Sequence, residues 1–140
     1  MITSIINTSV YVLDLERALE FYVCKLGFRV HTDILIDGNT RCVSLCIAGD
    51  PDKQLILIPV EEGPIFDLED ALAMQQLIRR EVFSYGVFRC SNLQQTFKYL
   101  KQKGVKFLME PGSGFLGQYE ASFIDDSGNW FRLTEHTDAV

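Results

Sequence analysis

The chain has 140 residues, 47% of them hydrophobic and 23% charged, with a net charge of -6, which is enough to bury a core without disulfides or a structural metal. The negative balance disfavours nucleic acid, whose phosphates call for clustered Lys and Arg, and no apolar run is long enough to cross a bilayer. Cys24, Cys42, Cys46 and Cys90 form no CxxC pair and read as free thiols, and the start MITSIINTSVYV lacks the order of a secretory signal, so a cytoplasmic protein is expected.

In chain order, residues 5 to 12 are β-branched and aromatic enough for a strand, and Asp14 can cap the helix that follows. Leu15, Ala18, Leu19, Tyr22 and Leu26 fall on one face of that helix, with Gly27 as its stop. Strands are predicted at 29 to 36, 40 to 47 and 53 to 59, broken by the turns DGN at 37 to 39 and GDPD at 49 to 52. A helical run from 67 to 80 then carries acids at its start and Arg79 and Arg80 at its end, as the helix dipole prefers. It reads as a connecting helix packed on the domain or on a dimer partner, with a lid over a cleft as the alternative. Beyond it the first pattern returns. A strand at 83 to 90 leads to an Asn92 cap, a helix through Leu93, Phe97 and Leu100, a stop at Gly104, and strands near 105 to 109, 118 to 125 and 130 to 135, the last two joined by DDSGN.

The halves match at a constant offset of 78 residues, which sets Leu15 on Leu93, Ser44 on Ser122 and Gln54 on Arg132. Each half reads as βαβββ. The predicted fold is α+β: residues 1–140 form one domain, with module one at 4–60, the acidic connecting segment at 61–81 and module two at 82–138.

Paired βαβββ units, with VLDLERALEFYVCKLGF in the first and SFIDDSGNWFRLTEH closing the second, resemble the vicinal oxygen chelate superfamily of glyoxalases, bleomycin-resistance proteins and extradiol dioxygenases. The resemblance covers nearly the whole chain. It implies a half-open barrel of mixed sheet whose concave cleft holds the site, and frequently a homodimer. It also implies four metal-ligand positions, on the first and last strand of each unit, which fall here on Asn7, Gln54, Tyr85 and Arg132. Only Gln54 is a plausible ligand type. Divalent ions are held by imidazole, thiolate or carboxylate donors, whereas an arginine is cationic and only donates hydrogen bonds. His31 and His136 occupy none of the four places, so no cofactor is expected and a divalent metal is disfavoured.

Strand alternation turns Trp130, Arg132 and Thr134 into the cleft and Phe131 and Leu133 towards the helices. The same reasoning puts Asn7, Ser9 and Tyr11, then Gln54, Ile56 and Ile58, then Tyr85, Val87 and Arg89 on the cleft side. With them come Cys42, Ser44 and Cys46, and Glu120 and Ser122. Such a mixture of polar groups and apolar walls suits a small-molecule pocket.

From this list the ligand-binding candidates are Asn7, Tyr11, Ser44, Gln54, Tyr85, Ser122, Trp130 and Arg132. Arg132 is suited either to a ligand carboxylate or phosphate or to an ion pair with Glu120, which is also the candidate acid or base. Cys42 and Cys46 lack an activating neighbour and are expected to be inert. The function expected is metal-independent binding of a small organic molecule, as in bleomycin-resistance proteins. The alternative is a metal-dependent lyase, isomerase or dioxygenase of the glyoxalase and extradiol-dioxygenase type.

Overall fold

The computed structural model describes residues 1–114 and 117–135. Module one contains β1 (Asn7–Val12), α1 (Leu15–Leu19), β2 (Arg29–Ile36), β3 (Thr40–Ile47) and β4 (Asp50–Pro59). Then come α2 (Leu68–Arg79) and module two: β5 (Ser84–Arg89), α3 (Leu93–Gln102), β6 (Lys106–Ser113), β7 (Tyr119–Ile124) and β8 (Trp130–Thr134). Both modules are βαβββ units, and each makes an open four-stranded mixed sheet, ordered β1-β4-β3-β2 and β5-β8-β7-β6. In each the first and last strands run parallel and the other pairs antiparallel.

The helix signals act as local chemistry predicts. Asp14 accepts from Arg17 N at 3.0 Å and Asn92 from Gln95 N at 2.9 Å, each satisfying an orphan donor of the first turn. Gly27 and Gly104 end their helices at φ +86° and +87°, a left-handed conformation that glycine adopts without strain. One difference lies in the first helix, which continues past Leu19 as a π-helical segment, Glu20–Lys25. Its wider turn lets Phe28 N reach Tyr22 O at 3.0 Å, and a 3.6-residue periodicity cannot reveal such an extra residue. β4 and β6 also extend beyond their expected spans, β6 through Pro111, which an edge strand tolerates.

The two sheets share one core. Val10, Val12, Leu45 and Leu57 of module one and Leu93, Leu100, Phe123, Phe131 and Leu133 of module two belong to the same buried cluster. Aromatic rings carry much of the contact between modules: Phe21 on Phe123 at 6.4 Å, Tyr22 on Phe131 at 6.3 Å and Phe28 on Phe88 at 5.6 Å. Full burial of each such side chain contributes roughly 1.5–3 kcal/mol. The modules therefore meet through their helix-bearing sides. The opposite face of each sheet, where the polar residues alternate, turns outward.

α2 packs through Ala71, Met74 and Ile78 against Val60, Phe66, Phe83 and the outward-pointing Tyr11 and Leu13. Gln75 Nε2 donates to Val60 O at 2.7 Å, fastening the helix to the end of module one.

Candidate functional site

The DDSGN turn between β7 and β8 is built from the inside. Asp125 Oδ1 accepts from the amides of Ser127, Gly128 and Asn129, each at 2.9 Å. Its Oδ2 accepts from the Tyr22 hydroxyl at 2.7 Å and from Asn129 Nδ2 at 3.3 Å. Asn129 Nδ2 also donates to Tyr11 O at 2.7 Å, and Leu13 N donates to Ser127 Oγ at 2.9 Å. Module two thus grips the end of β1 and the first helix of module one through a buried polar network. Burial, then the Asp125 charge, pushes the Tyr22 phenol up. Burial and the same charge push Asp126 up to about 7. Gly128, at φ +123°, lies so close to α2 that a Cβ would stand 2.3 Å from Ile78 O. The motif that marks the family in sequence is thus a joint between modules.

On the outward face of sheet two, β8 and β7 bring together the charged pair. Arg132 Nη1 stands 3.6 Å from Glu120 Oε2, with the arginine side chain 25% exposed and the glutamate 2%. Ser122 registers opposite Arg132, Thr134 opposite Glu120, and Trp130 opposite Ile124. The Glu120 carboxyl is roofed by backbone: a Cβ on Gly114 would lie 2.1 Å from Oε1, so no other residue fits there without expelling it. Glu120 is buried beneath that strand end, whereas Arg132 and Trp130 are half-buried and reachable.

Tyr85 requires a correction. Across β5 and β8, Ser84 registers on Trp130 and Val87 on Arg132, with a bulge between them. Val87 is therefore the first-strand neighbour of Arg132, in place of Tyr85. The extra residue turns the Tyr85 ring inward onto Phe131 at 5.9 Å, and its hydroxyl accepts from Tyr11 N at 3.4 Å. Burial raises its pKa. Gly86 within the strand was the available signal, since an interior glycine marks a bulge or a close approach.

The outward face of sheet one carries the other candidates. Asn7 registers on Gln54, and Ser44 on Ile56. Ser44 is buried, its hydroxyl 2.6 Å from that of Thr32, and Tyr11 is engaged edge-on by Phe66 at 5.6 Å. Both are held by the protein itself. Cys42 and Cys46 are buried on the same face, and burial raises the Cys42 pKa, away from a reactive thiolate. His31 is exposed on β2, and His136 lies outside the described residues.

The candidates therefore separate into two groups. Arg132, Glu120, Ser122 and Trp130 converge on sheet two. Asn7 and Gln54 instead line a cavity of about 590 Å³ at the seam between the modules, together with Val87 and Arg89 of β5. The four positions named by the resemblance hold Asn7, Gln54, Val87 and Arg132, a set with no imidazole, thiolate or carboxylate. Among the described residues, no three His, Cys, Asp or Glu side chains are placed to share a metal ion.

Two open βαβββ sheets with this joint and these outward faces define a class, and the sequence comparison agrees. Residues 4–133 match the Glyoxalase/Bleomycin resistance protein/Dioxygenase superfamily, and the chain belongs to it. It is 32% identical over 132 residues to the uncharacterized protein YurT of Bacillus subtilis (strain 168), covering 94% of this chain and 98% of that one. The crystal structure of UcmS2 superimposes with a TM-score of 0.88 at 34% identity, over 97% of this chain and 100% of that one. TnmS3, an antibiotic binding protein from Streptomyces sp. CB03234, shares the fold at a TM-score of 0.68 and 22% identity, over 94% of each chain.

Proposed function

We propose that the protein binds a small organic molecule on the outward face of β7 and β8, without a metal ion, and that it does so as a cytoplasmic homodimer. The observation that carries this reading is the Arg132–Glu120 pair at the position where a metal-dependent relative holds a ligand. A permanent cation there repels a divalent ion, and its own counter-charge is already supplied from beneath. The guanidinium is left to donate hydrogen bonds to a ligand carbonyl, carboxylate or phosphate, beside the apolar surface of Trp130. Glu120, roofed by Gly114, serves in this reading as the counter-ion that fixes Arg132, because an acid or base must come within hydrogen-bond reach of the proton it moves. The antibiotic binding of TnmS3, on the same fold, is in keeping with such a role.

The dimer follows from what a single chain leaves open. Both polar faces point away from the shared core, and the edge strand β2 exposes Val30, Ile34 and Leu35 at 49%, 56% and 61%. An exposed apolar edge invites pairing unless it is covered. A second copy covers it and closes each face into a cleft.

Three measurements on the purified full chain test the proposal. Native mass spectrometry should show a dimer, and elemental analysis of protein prepared without chelator should show no stoichiometric transition metal. A thermal-shift screen of small aromatic compounds should yield stabilising ligands whose effect is lost in Arg132→Gln, since a ligand that binds only the folded state raises its apparent stability. About one tightly held metal per chain would replace this reading with the metal-dependent lyase or dioxygenase one.

A further inference from the structure

β1 and β5 are edge strands of the two sheets, and near Tyr11 and Tyr85 the phenol hydrogen bond at 3.4 Å ties them together. At the end that carries Asn7 and Arg89, the seam cavity of about 590 Å³ lies between them, within the usual range of small-molecule pockets.

Its floor is aromatic and held by packing. Phe28 and Phe88, one from each module, meet at 5.6 Å with their planes 60° apart. Phe88 stacks in turn on Phe131 at 4.5 Å, and Phe28 is buried, so the floor continues the core shared by the modules. Leu55 is buried beside the rings, and Ile47 stands at the mouth, 46% exposed. A flat ring system laid on this floor buries its apolar surface against two aromatic side chains.

The charged side chains of the lining are already engaged. Lys53 pairs with Asp50 at 3.6 Å, and Arg89 has an interaction partner of its own. The amides of Asn7 and Gln54 differ from these: among the described residues, no backbone group or other side chain engages either of them. The two residues register on each other across β1 and β4, which sets their side chains next to one another on one face. Gln54 N donates to Ile6 O at 3.0 Å, which holds the backbone beneath them. A primary amide offers one acceptor oxygen and two donor protons, so the pair matches a neutral group that both donates and accepts. A carboxylate entering here gives up hydration and meets no uncommitted cation in return.

We propose that this seam is a second ligand site, contained within one chain, which takes a neutral aromatic carboxamide or lactam: the ring system lies over Phe28 and Phe88, and the amide edge pairs with Asn7 and Gln54. The binding is non-covalent and separate from the outward face of β7 and β8. Because the lining comes from both modules, an occupant strengthens their docking, and the site needs no second copy to be complete.

The test is calorimetric titration of the full-length protein with three probes of one shape, naphthalene-2-carboxamide, 2-acetylnaphthalene and naphthalene-2-carboxylate, alongside thermal unfolding. The carboxamide should bind once per chain and raise the unfolding temperature. It should bind about fivefold more tightly than the methyl ketone, which accepts but cannot donate, a difference of about 1 kcal/mol. The carboxylate should bind about tenfold more weakly than the carboxamide, or not at all. Ile47→Trp, a change at an exposed position that places an indole in the mouth, should weaken the carboxamide about tenfold or more, as loss of the pocket requires. Asn7→Leu combined with Gln54→Met keeps the shape of both side chains and removes both amides, and it should bring the carboxamide down to the affinity of the ketone. None of these substitutions alters a core residue. The proposal is overturned if the carboxamide does not bind, if the carboxylate binds as tightly, if Ile47→Trp binds the carboxamide like the wild type, or if the double variant keeps the preference over the ketone.

Discussion

The two modules repeat one plan, and their differences fall on polar groups. In module one, β1 pairs with β4 without interruption from Asn7↔Gln54 to Val12↔Pro59. In module two the corresponding β5–β8 ladder is bulged, and the last strand carries Arg132 over a buried glutamate. The connections between the last two strands diverge further: residues 48 to 52, the turn and the start of β4, are exposed, whereas DDSGN has Asp125, Ser127 and Asn129 all buried. Duplication supplies a scaffold with two equivalent halves. Specialisation then needs only a few buried polar residues in one of them, because each such group is costly unless fully partnered and therefore fixes its surroundings when it is.

The sharpest way to break this asymmetry is at Asp125. Replacement by alanine orphans three backbone amides and the Tyr22 hydroxyl at once, and leaves the Asn129 amide only its bond to Tyr11 O. We expect Asp125→Ala to lose about 3–5 kcal/mol of stability, the range for breaking a buried charged network. Asp50→Ala, at the exposed start of β4 in module one, should stay within about 0.5 kcal/mol of wild type. Urea unfolding of both variants measures the contrast. Equal losses would show that DDSGN is an ordinary turn.

Much of this was legible in the sequence, and what was not has a physical cause. The caps Asp14 and Asn92, the stops Gly27 and Gly104 and the alternation of β7 and β8 are local properties, and they stand as local chemistry predicts. The Arg132–Glu120 pair followed from that alternation. Tyr85 did not, because a bulge between Ser84 and Val87 turns the side chain ahead of it to the other face while Val87 and Arg89 keep theirs, and periodicity carries no mark of it beyond Gly86. Nor does alternation say which inner faces meet. Phe131 was assignable to the helix side, but its contact with Tyr22 of the other module is a long-range choice of packing partner. That choice separates Asn7 and Gln54 from Arg132.

A smaller effect sharpens the comparison through pH. Asp126 has its Oδ1 buried without a hydrogen-bond partner among the described residues, and its folded pKa, about 7, lies above the ordinary 3.8. Burial is the main cause, followed by Asp125, with Arg17 pulling down and Asp14 pushing up. For a carboxyl whose pKa is raised on folding, the contribution to stability is complete below the unfolded pKa and declines as pH rises to the folded one. The protein should therefore lose stability between about pH 4 and pH 7 through this group. Asp126 is only partly buried, so the loss is put at about 1–2 kcal/mol after allowance for solvent screening. Asp126→Asn should flatten that dependence and be more stable than wild type at pH 8, with little difference at pH 4. Parallel pH profiles of the two proteins would assign the titration to another group.

The smallest effect concerns the tie at the closed end of the seam. The Tyr85 hydroxyl accepts from Tyr11 N at 3.4 Å, a long bond whose donor belongs to an edge strand and has no β4 partner on that side. A neutral hydrogen bond contributes about 0.5–1.5 kcal/mol, and one this long belongs at the low end. Tyr85→Phe keeps the ring on Phe131 and removes only the acceptor, so the expected cost is about 0.5 kcal/mol. Amide hydrogen exchange reads the consequence more directly than global unfolding. The Tyr11 amide should exchange faster in Tyr85→Phe, while that of Val12, elsewhere on the same strand, keeps its wild-type protection. If Tyr11 exchange is unchanged, the edges are held by the Asn129 bond to Tyr11 O and the aromatic core alone, and the seam opens from both ends.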